Sequence, residues 1–211
     1  MLTYTELDNL IASRSLLLHP FYVRWTKGEL TMDHMKVYAK EYFKLVERIP
    51  GIVARVRDRV TDSDFQAQIA VNVVEEQEHV DLWKRFAKSV GVSEAELAAH
   101  TASPKTEAAI QALEQICEKA PEQGVVAMYA LELELPKIAE TKKDGLCKFY
   151  GLTSEDAHIY FDEHLKEEKH IAVWRSQALG ATSEAAANVS LTAQNHVLDA
   201  VCEACNLPLS C

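Results

Sequence analysis

Two pairs of side chains have a spacing that suits metal chemistry. Glu76 with His79, and Glu167 with His170, are each a carboxylate and an imidazole three residues apart. Three residues of helix turn about 300°, so the members of each pair lie about 60° apart on one face. Di-metal carboxylate bundles take a carboxylate and an imidazole from each of two helices, and further carboxylates from others. Either pair alone reads more simply as a solvated helix face, but the neighbouring residues argue otherwise. Phe65, Ile69, Trp83 and Phe86 recur in phase with Glu76 and His79, and Tyr160, His164 and Trp174 accompany Glu167 and His170. A charge on a core-facing stripe is costly unless it is paired or bound to metal.

The same phasing selects among neighbours. Glu168 and His170 are two apart, about 200° around a helix, whereas Glu167 sits about 60° from both His164 and His170. In the stretch 128–136, Glu132 shares a stripe with Val125, Met128, Tyr129, Leu135 and Ala139, and Glu134 points the other way. The expected ligand set is therefore Glu76, His79, Glu132, His164, Glu167 and His170. Three carboxylates and three imidazoles suit two iron-like ions and leave coordination positions open for oxygen.

Such an arrangement needs helices, and the chain supplies them. Its 211 residues, 48% hydrophobic and 26% charged, make one globular domain. Only seven Gly and six Pro are present, too few for a turn-rich sheet. No β-branched run alternates with polar residues long enough to propose a strand. Thr3 with Glu6 and Ser93 with Glu96 have the capping-box spacing. Thr31, Thr61 or Ser63, Pro104, Pro121 and Thr153 or Ser154 mark further helix starts, while Gly28, Gly51, Gly91, Gly145, Gly151 and Gly180 are expected near helix ends. The expectation is an all-α, single compact bundle of about seven to eight helices, with segments near 3–17, 31–49, 51–60, 63–90, 104–119, 122–144, 153–179 and 183–204. Residues 1–180 form the main domain, and 181–211 are a last helix and Cys-bearing tail packed on it.

Charge and cysteine content exclude several partners. The net charge of −10 has the wrong sign for nucleic acid or an anionic membrane. No stretch approaches the ~18 apolar residues of a membrane span. The N-terminus lacks the basic flank and apolar core of a signal peptide. Five Cys then read as reduced thiols, and the expected location is cytoplasmic. Cys202, Cys205 and Cys211, with only His196 nearby, fall short of a closed zinc site.

The segment Leu18-His19-Pro20-Phe21-Tyr22-Val23-Arg24-Trp25-Thr26-Lys27-Gly28-Glu29-Leu30 resembles the amino-terminal signature of the heme-oxygenase-like di-metal oxidases, whose fold is TenA-like. The likeness is greatest to the branch of chlamydial death-domain-associating proteins and their bacterial relatives. Tyr38-Ala39-Lys40-Glu41-Tyr42, His79-Val80-Asp81-Leu82-Trp83-Lys84, Glu132 with Pro136-Lys137-Ile138-Ala139, and Tyr160-Phe161-Asp162-Glu163-His164 follow in the same order. The resemblance covers about residues 5–175.

That resemblance implies a para-aminobenzoate synthase-like enzyme feeding folate synthesis, in which a tyrosine of the protein is consumed as the ring source and a lysine donates the amine. It also implies two transition-metal ions (Fe/Fe or Fe/Mn), molecular oxygen and an external reductant. Carried over by motif, the tyrosine is Tyr22 and the lysine Lys142. On the residues alone, Tyr22 is an ordinary core ring and Lys142 a snorkelling base.

Three departures from the family pattern stand out. The chain is about four residues shorter between Glu76 and His79 and about one shorter between His164 and His170. Glu167 replaces the usual aspartate. Leu131 replaces a second tyrosine beside the metal-binding glutamate, which leaves Tyr38, Tyr42 or Tyr129 to take that part. Two other readings compete: a di-iron oxidase acting on a free amino acid or fatty acid, and a non-enzymatic helical interaction protein. Bundles of this kind often form homodimers, but no exposed stripe singles out an interface.

Overall fold

A computed structural model describes residues 2–166 and 168–210. Among the described residues the regular structure is helical throughout, with twelve α-helices and one 3-10 turn at Leu16–Leu18. They are α1 (Tyr4–Ser13), α2 (Pro20–Lys27), α3 (Met32–Val46), α4 (Ile49–Arg59), α5 (Ser63–Ser89) and α6 (Glu94–Ala99). The second half comprises α7 (Pro104–Lys119), α8 (Pro121–Glu132), α9 (Leu135–Tyr150), α10 (Glu155–His164), α11 (Glu168–Arg175) and α12 (Ser183–Ala204).

The expected helix starts are present. Thr3 and Ser93 close capping boxes with Glu6 and Glu96, and Thr31 closes one with His34. Asp62 caps α5, between the candidates Thr61 and Ser63. Among the glycines, Gly28 and Gly151 end helices in the left-handed conformation. Gly145 behaves differently from expectation: it lies inside α9, where a Cβ would come within 2.3 Å of the Trp25 indole nitrogen. Close packing of α2 on α9, rather than chain termination, explains that glycine.

Two expected segments are each broken into two helices. The 122–144 segment breaks after Glu132 because Pro136 has no N–H and its ring crowds the carbonyl four residues back. The 153–179 segment breaks after His164, and a fresh helix starts at Glu168. His164 and His170 therefore sit on separate helices, so phasing on one continuous helix does not govern how they meet. Helix α5, 27 residues and about 40 Å long, runs through the centre with α4 and α10 against its sides. Helix α12 packs on α7, α8 and α3, and its Val197, Leu198 and Val201 are completely buried in the same core. No helix among the described residues is long and apolar enough to cross a membrane.

Candidate metal centre

The buried stripe of α5 is as its phasing requires. Phe65, Ile69, Glu76, His79, Trp83 and Phe86 all face inward. Glu76 and His79 touch, Nδ1 lying 3.3 Å from Oε2. Across from them, Glu132 closes α8 and is only 1% exposed, while Glu134 is turned to an ion pair with Lys137 at 2.7 Å. His170 comes from α11, and its Nδ1 lies 3.8 Å from Glu76 Oε1 and 4.0 Å from Glu132 Oε2.

Glu76, Glu132 and His170 each offer a donor atom, and those atoms lie within 4.8 Å of one another. His164 reaches the same place from α10. Its ring centroid is 4.5 Å from that of His79, and His79 is 6.5 Å from His170. Five of the six expected ligands thus converge between α5, α8, α10 and α11. Glu167, the sixth, lies outside the described residues. Buried carboxylate oxygens and imidazole nitrogens in this number are the donor set of a first-row transition-metal site. Burial and the neighbouring imidazoles hold His164 well below the usual histidine range, so it is neutral and able to ligate. The residues present fit a metal centre.

Tyr22 and Lys142 meet one layer away. Lys142 is buried on α9, and Tyr22 is completely buried on α2. The Lys142 ammonium nitrogen is 5.2 Å from the ring centres of Tyr22, Tyr42 and Phe161, 5.4 Å from Tyr38 and 6.0 Å from Trp83. Desolvation lowers its pKa from 10.5 to about 7. The Tyr22 and Tyr38 hydroxyls are 3.2 Å apart. Burial raises both phenols well above their ordinary value, and Tyr42 to about 12, so all three stay protonated.

Several contributors were not evident from spacing. Tyr160 and Trp83 link the two layers: Tyr160 is 4.2 Å from the His164 ring and 4.7 Å from Trp83, and Trp83 stacks on Tyr42 at 5.2 Å. Trp174 donates its indole N–H to Glu132 Oε2 at 2.7 Å. The aromatic positions were visible as core positions, but sequence distance hid which of them would touch. Tyr129, one candidate for the missing tyrosine, is turned away and bonds Asp8 and Arg175. Leu131 lines a small cavity of about 30 Å³ with Glu76, Tyr42, Tyr160 and His164. An open cleft of about 450 Å³ reaches His79 and His170 from outside, with Glu75, Arg85 and Lys169 on its walls.

This helical bundle has the heme-oxygenase-like fold, and the chemistry of its buried Glu/His cluster fits a metal ion. The chain is similar over 98% of its length to a heme-oxygenase-like domain from Shewanella denitrificans OS217, with TM-score 0.79, 18% identity and 94% of that chain covered. The TENA/THI-4/PQQC family matches residues 6–204, and the chain belongs to that family. It is 33% identical to the 4-aminobenzoate synthase of Nitrosomonas europaea, over 95% of this chain and 85% of that protein. It is also 33% identical to the 4-aminobenzoate synthase of Chlamydia muridarum, over 75% of this chain and 70% of that protein.

Proposed function

We propose that the protein is an oxygen-dependent para-aminobenzoate synthase that consumes its own tyrosine. The observation that carries this reading is the Lys142 amine, buried against the ring of Tyr22 and one aromatic layer from the Glu/His cluster. Relatives named 4-aminobenzoate synthase support it. Glu76, His79, Glu132, His164 and His170 would hold the metals, with Glu167 as the remaining candidate. Bound iron, or iron with manganese, would supply one-electron redox chemistry toward O2, with electrons from an external reductant.

The chain's own residues prepare the organic half of the reaction. A Lys142 pKa near 7 leaves much of its amine neutral, and so nucleophilic, at physiological pH. Tyr22 is kept a neutral phenol by burial. Its conversion requires the Cα–Cβ bond to break with Cβ oxidised by O2 to the carboxyl carbon; the Lys142 Nζ replaces the phenol oxygen, which leaves as water, and the Lys142 Cε–Nζ bond breaks to release the product. Tyr160, Trp83, Tyr42 and Tyr38 give electrons a path of neighbouring rings from His164 to the Tyr22 hydroxyl. The surrounding aromatic side chains exclude water from the amine and the ring.

The test is reconstitution with Fe(II) and Mn(II), reductant and air, followed by mass spectrometry. Para-aminobenzoate should appear in amounts no greater than one per chain, and the Tyr22 peptide should lose its side-chain mass. Product accompanied by intact Tyr22 and Lys142 peptides would refute self-sacrifice. The 450 Å³ cleft beside His79 and His170 favours a second reading, an oxidase of a free small molecule, and turnover beyond one per chain would select it.

A further inference from the structure

His170 is held between two carboxylate environments. Its Nδ1 faces Glu76 and Glu132 in the interior, at 3.8 and 4.0 Å. Its Nε2 is hydrogen-bonded to Glu75 Oε2 on the opposite side. Glu75 is half-exposed and stands beside His170 on the wall of the open cleft. A neutral imidazole carries one N–H. If Glu75 accepts that hydrogen from Nε2, the Nδ1 lone pair is aimed at the pocket formed by Glu76 and Glu132.

We propose that Glu75 is the positioning residue of the site: its carboxylate fixes the His170 tautomer and ring plane so that Nδ1 serves as a metal ligand. The inference rests on the reading that the Glu/His cluster binds metal. Metal-ligating histidines nearly always donate their other N–H to a carboxylate, carbonyl or water, and loss of that partner typically weakens metal binding about 10–100-fold. The plainer reading of Glu75 is a surface ion pair, which would contribute little. What separates the two is the direction of the imidazole. A surface pair has no reason to leave the other ring nitrogen facing two buried carboxylates.

Full-length protein carrying Glu75→Ala or Glu75→Gln distinguishes them. In metal-free parent at alkaline pH, where an imidazole is neutral, a long-range proton–nitrogen spectrum should show His170 as the Nε2–H tautomer. E75A should become a mixture, and E75Q, whose amide oxygen can accept the same N–H, should retain the parent form. Mn(II) affinity should fall about 10–100-fold in E75A and be largely restored in E75Q. Parent-like affinity and tautomer in E75A would overturn the proposal. Equal losses in E75Q and E75A would also overturn it, because Glu75 would then act as a direct ligand or through its charge. If the parent binds no Mn(II), the metal reading of the site fails, and the metal-free spectrum still decides whether Glu75 orients His170. Since Glu75 is half-exposed, both variants should fold, which matching thermal unfolding curves would verify.

Discussion

Replacing Lys142 with methionine tests the most unusual electrostatic feature of the molecule. The side chain is buried among five aromatic rings, and burial lowers its pKa from 10.5 to about 7. Between those two values the unfolded chain binds a proton that the folded protein does not, so stability should rise with pH by about 1.4 kcal/mol per pH unit. Below about pH 7 both states are protonated and the full burial cost is felt. Above about pH 10.5 neither is protonated and the cost is gone. That span corresponds to about 5 kcal/mol. Methionine has a similar length, no charge and good aromatic contacts. Lys142→Met should therefore stabilise the metal-free protein by about 5 kcal/mol at pH 6, with the gain shrinking toward zero above pH 10. Denaturant unfolding of parent and variant at pH 6, 7, 8 and 9 gives the difference directly. A gain independent of pH, or a variant less stable than parent at pH 6, would refute the reasoning.

Three other substitutions probe the supports of the site. Trp174→Phe removes the hydrogen bond to the Glu132 carboxylate and should cost about 2 kcal/mol of stability, and it should also weaken Mn(II) binding in a titration. Gly145→Ala places a methyl group against the Trp25 indole and should cost about 1–3 kcal/mol by thermal unfolding, with the fold retained by circular dichroism. Tyr22→Phe leaves the Glu/His cluster untouched, so metal content should equal the parent's while para-aminobenzoate should disappear; product formed at the parent level would move the ring source to another tyrosine, Tyr42 being equally near Lys142.

The family matched here, and relatives named for 4-aminobenzoate synthesis, agree with the resemblance carried by the segment 18–30 and by the later motifs. Where the sequence departs from that pattern, the structure is specific. The shortened Glu76–His79 spacing still gives a regular helical turn in which the two side chains touch. Leu131 lines a small cavity together with Glu76 and His164. Of the tyrosines that could replace the missing one, Tyr38 and Tyr42 lie beside Lys142, whereas the buried Tyr129 has its hydroxyl bonded to Asp8 and Arg175.

What the sequence determined by itself was local and periodic. Helical geometry places Glu76 and His79 on one turn, and the apolar residues in phase with them turn that turn inward. The same argument favoured Glu132 over Glu134, because burial follows the apolar stripe. Capping residues and the low Gly and Pro content likewise specified where helices begin and that the fold is all-α. Tertiary structure decided everything that depends on two segments meeting. Pro136 forces a bend after Glu132, and the chain turns again after His164, so α10 and α11 each deliver one histidine from a different direction. Glu75 lies about 100° around α5 from Glu76, off the core stripe, and only the approach of α11 gives it a partner. Trp174 and Glu132 are 42 residues apart, and the five rings around Lys142 come from four separate helices. Helix phase is set by neighbours three and four residues away, whereas the environment of a buried charge is set by whichever helices pack over it.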